Sequence, residues 1–309
     1  MKFLVTGGAG FIGSNIVEEL LKKGHSVRVL DNFSTGKREN LGEFKSDIEL
    51  FEGDIRSYHI VRQAVNGIEV ILHQAALPSV PRSINDPITT NEVNVMGTLN
   101  ILDAAKDAGV KRIIYASSSS VYGDNPVLPK REDMLPNPLS PYAVSKLAGE
   151  KYCHVFSKLY GIETVILRYF NVFGPRQDPN SQYSAVIPKF IKLMSKNQRP
   201  TIYGDGTQSR DFTYVANIVK GNLLAATKDV KSGLVMNCAN HGQVTLNELV
   251  KQINNLLNKN IEPIYADPRP GDIKHSFANI DKIKNSIEFI PRINFVSGLD
   301  LTIKQFNLE

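Results

Sequence analysis

The chain has 309 residues, enough for one large domain or two moderate ones, and its 42% hydrophobic and 22% charged residues are typical of a soluble globular protein. The 36 basic and 31 acidic residues leave a net charge of +5 with no basic block, so nucleic-acid binding is not indicated. Two cysteines without a Cys-x-x-Cys pair disfavour a disulfide scaffold or a zinc site, and without a cleavage site or an apolar run of membrane-span length we expect a cytoplasmic protein with no metal and no membrane partner.

A strand, a glycine-rich turn and a helix open the chain. Lys2 to Thr6 is predicted as a buried strand, and Ser14 to Lys23 has helical periodicity. Between them three glycines recur as Gly-x-x-Gly-x-x-Gly, in the context that a dinucleotide fingerprint requires. Such a turn presents backbone N–H groups and a helix N-terminus to a pyrophosphate. We therefore predict a dinucleotide site that includes Gly7, Gly10, Phe11, Ile12 and Gly13.

The second strand, Ser26 to Leu30, ends in Asp31, eighteen residues beyond Gly13. A carboxylate at this position accepts hydrogen bonds from a ribose 2′-hydroxyl and repels a 2′-phosphate, so the cofactor is predicted to be NAD rather than NADP. The polar turn that follows is expected to line the adenosine with Asn32, Ser34, Thr35 and Gly36.

The third and fourth strands are predicted at residues 48–51 and 70–73. After the third strand, Asp54 could hydrogen-bond the adenine amino group, cap the next helix, or do both, and Ile55 lies beside it. After the fourth strand, small residues let a cofactor approach the backbone. The residues predicted there are Gln74, Ala75 and Ala76.

A long helix is predicted from Asn94 to Ala108, and a fifth strand from Arg112 to Ala116. The repeated alternation of strand and helix predicts an α/β fold. It should be a Rossmann-like doubly wound parallel sheet, covered on both faces, with a smaller α/β substrate-binding lobe.

Four serines, 117–120, follow the fifth strand, where hydroxyls would face a ligand at the carboxyl edge of the sheet. The chain has no Gly-x-Ser-x-Gly elbow, which disfavours a hydrolase. Further on, Tyr142 and Lys146 are four residues apart and share one face of a predicted helix. An ammonium near a phenol favours the phenolate, so Tyr142 could serve as a base. Alone, this spacing is also that of an ordinary exposed pair.

Together, TGGAGFIG, Asp31, SSSSVYG and Tyr142-x-x-x-Lys146 resemble the extended short-chain dehydrogenase/reductase family. The stretches LPSVPRSINDP, LRYFNVFGPRQDP, GDGTQSRDFTYV and RPGDIKHS are similar to the UDP-sugar 4-epimerases, most closely to the UDP-N-acetylglucosamine 4-epimerases. The similarity runs along nearly all of the chain, with its landmarks in order.

The resemblance implies roles for three catalytic residues. Tyr142 would remove the proton of the sugar 4-hydroxyl, Lys146 would lower the pKa of Tyr142 and bind the nicotinamide ribose, and Ser118 would hydrogen-bond the 4-oxygen. The resemblance also places Asn94, Ser117 and Tyr169 at the NAD.

The resemblance further implies a UDP-sugar site. Asn171, Arg210 and Arg269 would contact the diphosphate, for which guanidinium groups are suited, although each arginine could instead form a surface ion pair. Ser276 would be a gate beside the sugar, where a small residue admits an N-acetyl group. The remaining expected contacts are Ser79, Ser119, Val186, Lys189, Tyr203 and Asp272.

Some alternatives stay open. The related 4,6-dehydratases carry an Asp-Glu pair at the positions of Ser119 and Ser120, and serine cannot replace either acid near pH 7, which argues against dehydration. Another NAD-dependent UDP-sugar enzyme, such as a uronate 4-epimerase, a decarboxylase or a simple dehydrogenase, remains possible. So does a non-catalytic NAD-binding sensor, although a sensor needs none of the three catalytic residues.

We expect an NAD-binding domain of residues 1–170 plus about 212–240, and a UDP-sugar-binding lobe of about 171–211 plus 241–309. Helices are predicted from Phe212 to Ala226 and from Thr245 to Leu257. The helices at 94–108 and 142–160 resemble a pair that forms a four-helix bundle across a homodimer, although their apolar residues could equally pack within one chain.

Overall fold

A parallel β-sheet with helices on both faces organises the structure, a computed structural model that describes residues 1–180, 185–268 and 274–306. The strands are β1 (Lys2–Thr6), β2 (Ser26–Asp31), β3 (Ile48–Glu52), β4 (Val70–His73), β5 (Arg112–Ser118), β6 (Glu163–Tyr169), β7 (Val172–Phe173), β8 (Thr201–Tyr203), β9 (Ser209–Arg210), β10 (Thr213–Tyr214), β11 (Leu234–Cys238), β12 (Val244–Thr245), β13 (Ile264–Ala266) and β14 (His275–Ser276). The helices are α1 (Phe11–Lys22), α2 (Tyr58–Val65), α3 (Val80–Asn85), α4 (Pro87–Asn91), α5 (Gly97–Asp107), α6 (Pro141–Tyr160), α7 (Val186–Ser195), α8 (Val215–Thr227), α9 (Leu246–Leu257), α10 (Asp281–Ile287) and α11 (Phe295–Phe306).

Within the described residues, the main sheet has seven strands in the order β11-β6-β5-β4-β1-β2-β3, and every neighbouring pair is parallel. Its core is divided by the sheet. Along β1, Phe3 and Val5 belong to one buried cluster and Leu4 to the other, as expected of a strand with helices on both faces. The predicted Rossmann-like doubly wound fold is confirmed.

The first helix, α1, begins at Phe11, one turn before the predicted Ser14. Gly10 is the N-cap, and its carbonyl accepts the first helical hydrogen bond from the Ser14 N–H at 3.0 Å. The helix therefore starts inside the glycine motif, directly after Gly10.

The helix predicted from Asn94 to Ala108 is not regular. A π-helical turn, Glu92–Met96, joins α4 to α5. A π turn winds more residues into one turn than an α-helix and so redirects the side chains within it. Asn94 lies within this π turn, and its side chain is buried and hydrogen-bonded to the backbone of Leu77.

Helix α6 is bounded by clear signals. The Ser140 hydroxyl accepts a hydrogen bond from the Ala143 N–H at 3.2 Å, Pro141 occupies the first turn, and Gly161 ends the helix in a left-handed conformation. This single helix carries both Tyr142 and Lys146.

The helix predicted from Phe212 starts at Val215, because Thr213 and Tyr214 are extended and pair with Val172 and Phe173 as β10 and β7. Helix α9 follows the prediction closely. Thr245 is its N-cap and forms a capping box with Glu248.

Strand β11 extends the main sheet next to β6. Elsewhere in the second half, β8 pairs with β13, and β9 lies between β12 and β14. The proposed domain boundaries stay a prediction. In the part of the chain that the structure describes, no helix is long and apolar enough to cross a membrane, and no group of three or more acidic, His or Cys side chains is arranged to hold a metal ion.

Candidate active site

The glycine-rich turn packs closely against neighbouring backbone at the start of α1. Gly7 has φ +68°, and a Cβ there would lie 2.8 Å from the backbone of Ala75. A Cβ on Gly13 would lie 2.1 Å from the Gly7 carbonyl oxygen. Gly10 provides no capping side chain, and the first N–H groups of a helix, those of Phe11 and Ile12 among them, have no acceptor within it. The turn therefore fits the pyrophosphate of a dinucleotide.

Asp31 ends β2 beside this turn and is 7% exposed. Its two carboxylate oxygens accept hydrogen bonds from the Ala9 N–H at 2.9 Å and the Phe33 N–H at 2.8 Å. Burial raises the pKa of Asp31, while these two hydrogen bonds oppose the shift. Both oxygens keep lone pairs that could accept ribose hydroxyls. Gly36 lies so close that a Cβ would sit 3.0 Å from Asp31 Oδ1.

The predicted adenosine-lining residues Asn32, Ser34 and Thr35 are exposed in the turn after Asp31. Asn32 donates from Nδ2 to Asp54 Oδ2 at 2.8 Å, which brings together two regions that are separate in sequence. Their contact with adenosine stays a prediction.

Asp54 does not cap helix α2, whose N-cap is Ser57. Its Oδ1 accepts the Arg56 backbone N–H at 2.8 Å, and its Oδ2 accepts from the Arg56 guanidinium at 2.8 Å. These side-chain hydrogen bonds, chiefly that of Arg56, lower the pKa of Asp54. The capping alternative is therefore wrong, because the carboxylate closes the turn before the helix. Ile55, the next residue, is buried.

At the end of β4, the predicted small residues lie against the glycine turn. Ala75 faces Gly7, Ala76 follows it, and the Gln74 N–H donates to the Thr6 carbonyl at 3.1 Å. The Gln74 side chain meets Tyr169 and Asn222, since the Tyr169 hydroxyl lies 3.2 Å from Gln74 Oε1 and 2.9 Å from Asn222 Oδ1. The predicted residues Gln74 and Tyr169 are thus brought together.

Asn94 links the end of β4 to helix α6. Its Oδ1 accepts the Leu77 N–H at 2.7 Å, and its Nδ2 donates to the Leu77 carbonyl at 3.1 Å and to Ser145 Oγ at 3.0 Å. Ser145 in turn donates to the Tyr142 carbonyl at 2.8 Å. Asn94 therefore holds the first turn of the helix that carries Tyr142.

Tyr142 and Ser118 lie near each other at the carboxyl end of β5. Burial raises the pKa of the Tyr142 phenol, and the nearby Ser118 hydroxyl partly opposes this. The Ser118 oxygen accepts the Ser120 N–H at 3.2 Å, so its position is fixed. Ser119 begins the short 3₁₀ turn that follows.

Lys146 lies one helical turn beyond Tyr142 and is 5% exposed. Its ammonium donates to the Ala116 carbonyl at 2.8 Å and lies 5.2 Å from the centre of the Tyr115 ring. Burial lowers the pKa of Lys146 to about 8, with Cys153 and Glu150 opposing. Because burial and Ser118 account for the shift at Tyr142, the lowering of the Tyr142 pKa by Lys146 stays a prediction.

A buried ion pair beneath the serine segment was missed by sequence reasoning. Glu150 accepts from Arg168 Nε at 2.8 Å and Nη2 at 2.7 Å, and both residues are 3% exposed. The Ser117 hydroxyl donates to the same carboxylate, so its side chain is engaged there rather than free for NAD. The signal was a charge within the apolar strand sequence VILRYF.

The predicted substrate residues described next lie in the second half of the chain. Asn171 is exposed with φ +29°, and its carbonyl accepts the Thr213 N–H at 3.2 Å. Val186 and Lys189 lie in the first turn of α7, with Lys189 exposed. Tyr203 ends β8 and is half-buried. Their contact with a UDP-sugar stays a prediction.

Arg210 and Ser276 are direct neighbours. They are register partners in the parallel pair of β9 and β14, so the predicted phosphate contact and the predicted gate stand side by side. The Arg210 guanidinium donates to the carbonyls of Ser209 at 2.9 Å and Lys274 at 3.2 Å. Ser276 is 9% exposed.

Two predicted residues, Arg269 and Asp272, lie outside the described residues. Ser79 is the N-cap of α3 with φ +102°, and its hydroxyl accepts the Arg82 N–H at 3.3 Å.

Asp211, next to Arg210, was also missed. It is fully buried, and its carboxylate accepts the N–H groups of Asn240 at 3.1 Å and Ala278 at 3.2 Å. Burial raises the pKa of Asp211 to about 6, against these hydrogen bonds. Asp211 thus ties β9 to two segments that come later in the chain.

The sequence model of the NAD dependent epimerase/dehydratase family matches residues 3–239. Among curated proteins, a putative UDP-glucose 4-epimerase of Methanocaldococcus jannaschii is 40% identical over 298 residues, which cover 96% of this chain and 95% of that protein.

Two solved structures show the same fold. A UDP-N-acetylglucosamine 4-epimerase of Methanobrevibacter ruminantium, in complex with UDP-N-acetylmuramic acid, is 42% identical with a TM-score of 0.95, over 99% of this chain and 98% of that one. A UDP-glucose 4-epimerase of Thermus thermophilus, in complex with NAD, is 37% identical with a TM-score of 0.91, over 99% of both chains.

Proposed function

The chain belongs to the NAD dependent epimerase/dehydratase family, and from this premise we propose that it reversibly inverts carbon 4 of a UDP-hexose through a 4-keto sugar. The substrates would be UDP-GlcNAc and UDP-GalNAc, with UDP-Glc and UDP-Gal as further candidates. The observation that carries the proposal is the placement of Tyr142 beside Ser118, with buried Lys146 one turn away, at the sheet edge that also holds the glycine turn.

The cofactor of this family is NAD, and the residues present fit it: the first N–H groups of α1 have no acceptor within the helix and could bind a pyrophosphate, and the Asp31 carboxylate at the end of β2 would accept an adenosine ribose hydroxyl. Bound NAD would accept the hydride of carbon 4 and return it to the opposite face of the sugar. The group would be held by the glycine turn, Asp31 and Lys146.

The chain's own residues would handle the proton. Tyr142 would take the proton of the 4-hydroxyl as the hydride leaves carbon 4, and would give it back when the hydride returns. Ser118 would hold the 4-oxygen close to the phenol. Lys146, a buried cation, would favour the phenolate form of Tyr142 once the ribose hydroxyls lie between them.

The diphosphate would be the pivot of the reaction. Inversion requires the keto sugar to turn over while the nucleotide stays in place, and Arg210, which lies on the paired strand β9, would hold a phosphate. Ser276 beside it is small, which leaves space for an N-acetyl group. This supports an N-acetylhexosamine as substrate, while the plain hexose fits the same space.

We further propose a homodimer. Helix α6 has an exposed apolar stripe of Val144, Val155 and Leu159, at 52%, 43% and 68% exposure, and Met96 in the adjacent π turn is 48% exposed. Apolar residues at this spacing lie on one helix face and are typical of an interface.

The test is turnover by the purified protein. UDP-GlcNAc, UDP-Glc and UDP-glucuronate are supplied separately, without added oxidant, and the 4-epimers are measured by NMR. We expect UDP-GalNAc from UDP-GlcNAc. Release of carbon dioxide or accumulation of NADH would point to the decarboxylase or the dehydrogenase instead.

The Tyr142→Phe variant is expected to bind the UDP-sugar but to lose roughly 10²- to 10⁴-fold in kcat, the usual contribution of a general base. Calorimetry measures the binding and NMR the turnover. Undiminished kcat in this variant would remove Tyr142 from the role of base.

A further inference from the structure

His73, the last residue of β4, has both ring nitrogens engaged inside the core. It is 2% exposed, with Nδ1 lying 2.6 Å from Thr6 Oγ1 and Nε2 lying 3.0 Å from Thr98 Oγ1. The mechanism above makes no use of this residue.

The donor and the acceptor of each hydrogen bond around His73 can be assigned in only one way. Thr98 Oγ1 donates its one proton to the Asn94 carbonyl at 2.6 Å, so it must accept from His73 Nε2–H. The ring of a neutral histidine then has a bare Nδ1, which accepts from the Thr6 hydroxyl. Thr6 Oγ1 in turn accepts the Ala75 N–H at 3.2 Å. This order satisfies every donor and acceptor along the chain of bonds.

The two ends of this chain of bonds lie at the two halves of the candidate site. Ala75 packs against Gly7 in the glycine turn. Asn94 hydrogen-bonds the backbone of Leu77 and the hydroxyl of Ser145, which in turn hydrogen-bonds the Tyr142 carbonyl. His73 is the middle link between them.

We propose that His73 is a positioning residue, which sets the distance between the cofactor edge at Ala75 and the Tyr142 helix through the ordered bonds of Thr6, Thr98 and Asn94. This rests on the proposed function for its effect on turnover. It does not rest on that function for the order of the hydrogen bonds, which is a property of the folded chain.

The ring is held neutral. Burial lowers the pKa of His73 to about 3, and the ammonium of Lys146 adds to the shift. A proton on Nδ1 would also meet the Thr6 hydroxyl, which would then have to turn its own proton elsewhere. His73 therefore stays neutral, with its proton on Nε2, at neutral and mildly acidic pH.

The order of the bonds is tested by ¹⁵N NMR of histidine-labelled protein. We expect the His73 signals of a neutral ring that carries its proton on Nε2, unchanged between neutral and mildly acidic pH. The opposite tautomer, or titration of the ring in this range, would overturn the proposal. This measurement needs no substrate, so its result is independent of whether the protein turns over a UDP-sugar.

The positioning role is tested by a matched pair at Thr98. Thr98→Val keeps the shape but removes the hydroxyl, whereas Thr98→Ser keeps the hydroxyl. We expect Thr98→Val to lose roughly five- to tenfold in kcat, with KM for the UDP-sugar within about twofold, and Thr98→Ser to stay near the unaltered protein. Melting temperatures of both variants show whether each is folded.

Equal kcat in the two Thr98 variants would contradict the positioning role. So would a loss in Thr98→Val that falls wholly on KM, since a disturbed substrate site would have that effect. A wild-type protein that does not turn over any UDP-sugar, with the expected His73 tautomer intact, would count against the proposed function and leave the ordered bonds standing.

Discussion

Asp211 shows what a single buried carboxylate does to the stability of this protein. Its folded-state pKa of about 6 lies above the ordinary 3.8, because burial outweighs the backbone hydrogen bonds. Between these two values the folded chain binds more protons than the unfolded chain, so the free energy of unfolding falls as pH rises through this window. Above about pH 6 the cost of ionising Asp211 is fully present.

The Asp211→Asn variant should lack this contribution. Relative to the variant, the unaltered protein is expected to lose roughly 2 kcal/mol of unfolding free energy between pH 4 and pH 7, whatever the constant offset caused by the exchanged hydrogen bonds. Urea unfolding at several pH values measures it. If the unfolding free energies of the two proteins changed in parallel with pH, the raised pKa of Asp211 would be contradicted. Asp205 is the matched control, because hydrogen bonds with Thr207 lower its pKa from 3.8, so its contribution changes only in more acidic solution and Asp205→Asn should leave the slope between pH 4 and pH 7 unchanged.

Residues that act through local spacing could be predicted from the sequence. Gly7, Gly13, Tyr142 and Lys146 recur at intervals set by one turn or one helix, so their proximity follows from secondary structure. By contrast, Thr6 and His73 are 67 residues apart, as are Asp211 and Ala278. Nothing in the local pattern specifies such partners, because they meet only when separate strands are aligned in the sheet.

At the scale of elements, the turn between β1 and α1 has a strict steric requirement. Gly7 and Gly24 both have positive φ, +68° and +73°, but only Gly7 faces another backbone, whereas the space around Gly24 is open. Replacing each glycine by alanine therefore separates the cost of a left-handed backbone, present at both sites, from the cost of a steric clash with Ala75, present only at Gly7.

Gly24→Ala is expected to cost about 1–2 kcal/mol, the penalty of a left-handed residue with a Cβ. Gly7→Ala should cost more than this and should also abolish NAD binding, since Ala75 cannot yield without moving β4. Urea unfolding and NAD titration measure the two effects. Equal stabilities and equal NAD affinities would show that the close approach at Gly7 is unimportant.

Element types were predicted well and element starts less well. The strand sequences of β1 to β4 are short apolar runs between turns, which periodicity identifies. The start of α8 was placed three residues early, although Phe212, Thr213 and Tyr214 are residue types that favour strands, and Thr213 and Tyr214 pair with β7. The π turn before α5 has no comparable signal in the sequence.

At the scale of the whole molecule, the alternation of strand and helix predicts a parallel sheet, and most strands that follow one another in the first half of the chain are neighbours in it. The small sheet of β9, β12 and β14 was not predictable in this way. Each of these strands has two residues, too few for a periodic pattern, and their partners lie far apart in the chain. The pairing nevertheless brings Arg210 and Ser276 together.

The proposed homodimer is tested by charge on helix α6. Leu159→Asp should convert a dimer to a monomer in sedimentation velocity, because a carboxylate at an apolar interface loses its water. Leu135→Asp is the control, since Leu135 is 87% exposed in a loop outside these helices. A Leu159→Asp protein that sediments like the unaltered dimer would place the interface elsewhere.

The π-helical turn at Glu92–Met96 has a consequence for how this protein can change in evolution. A wide turn of this kind holds one surplus residue, so the loss of a single codon here would leave an unbroken cylinder of ordinary α-helix. The fold would survive such a deletion, but Asn94 would swing by about a quarter-turn or more and release Leu77 and Ser145. A descendant shortened at this point would therefore keep its shape and lose its chemistry.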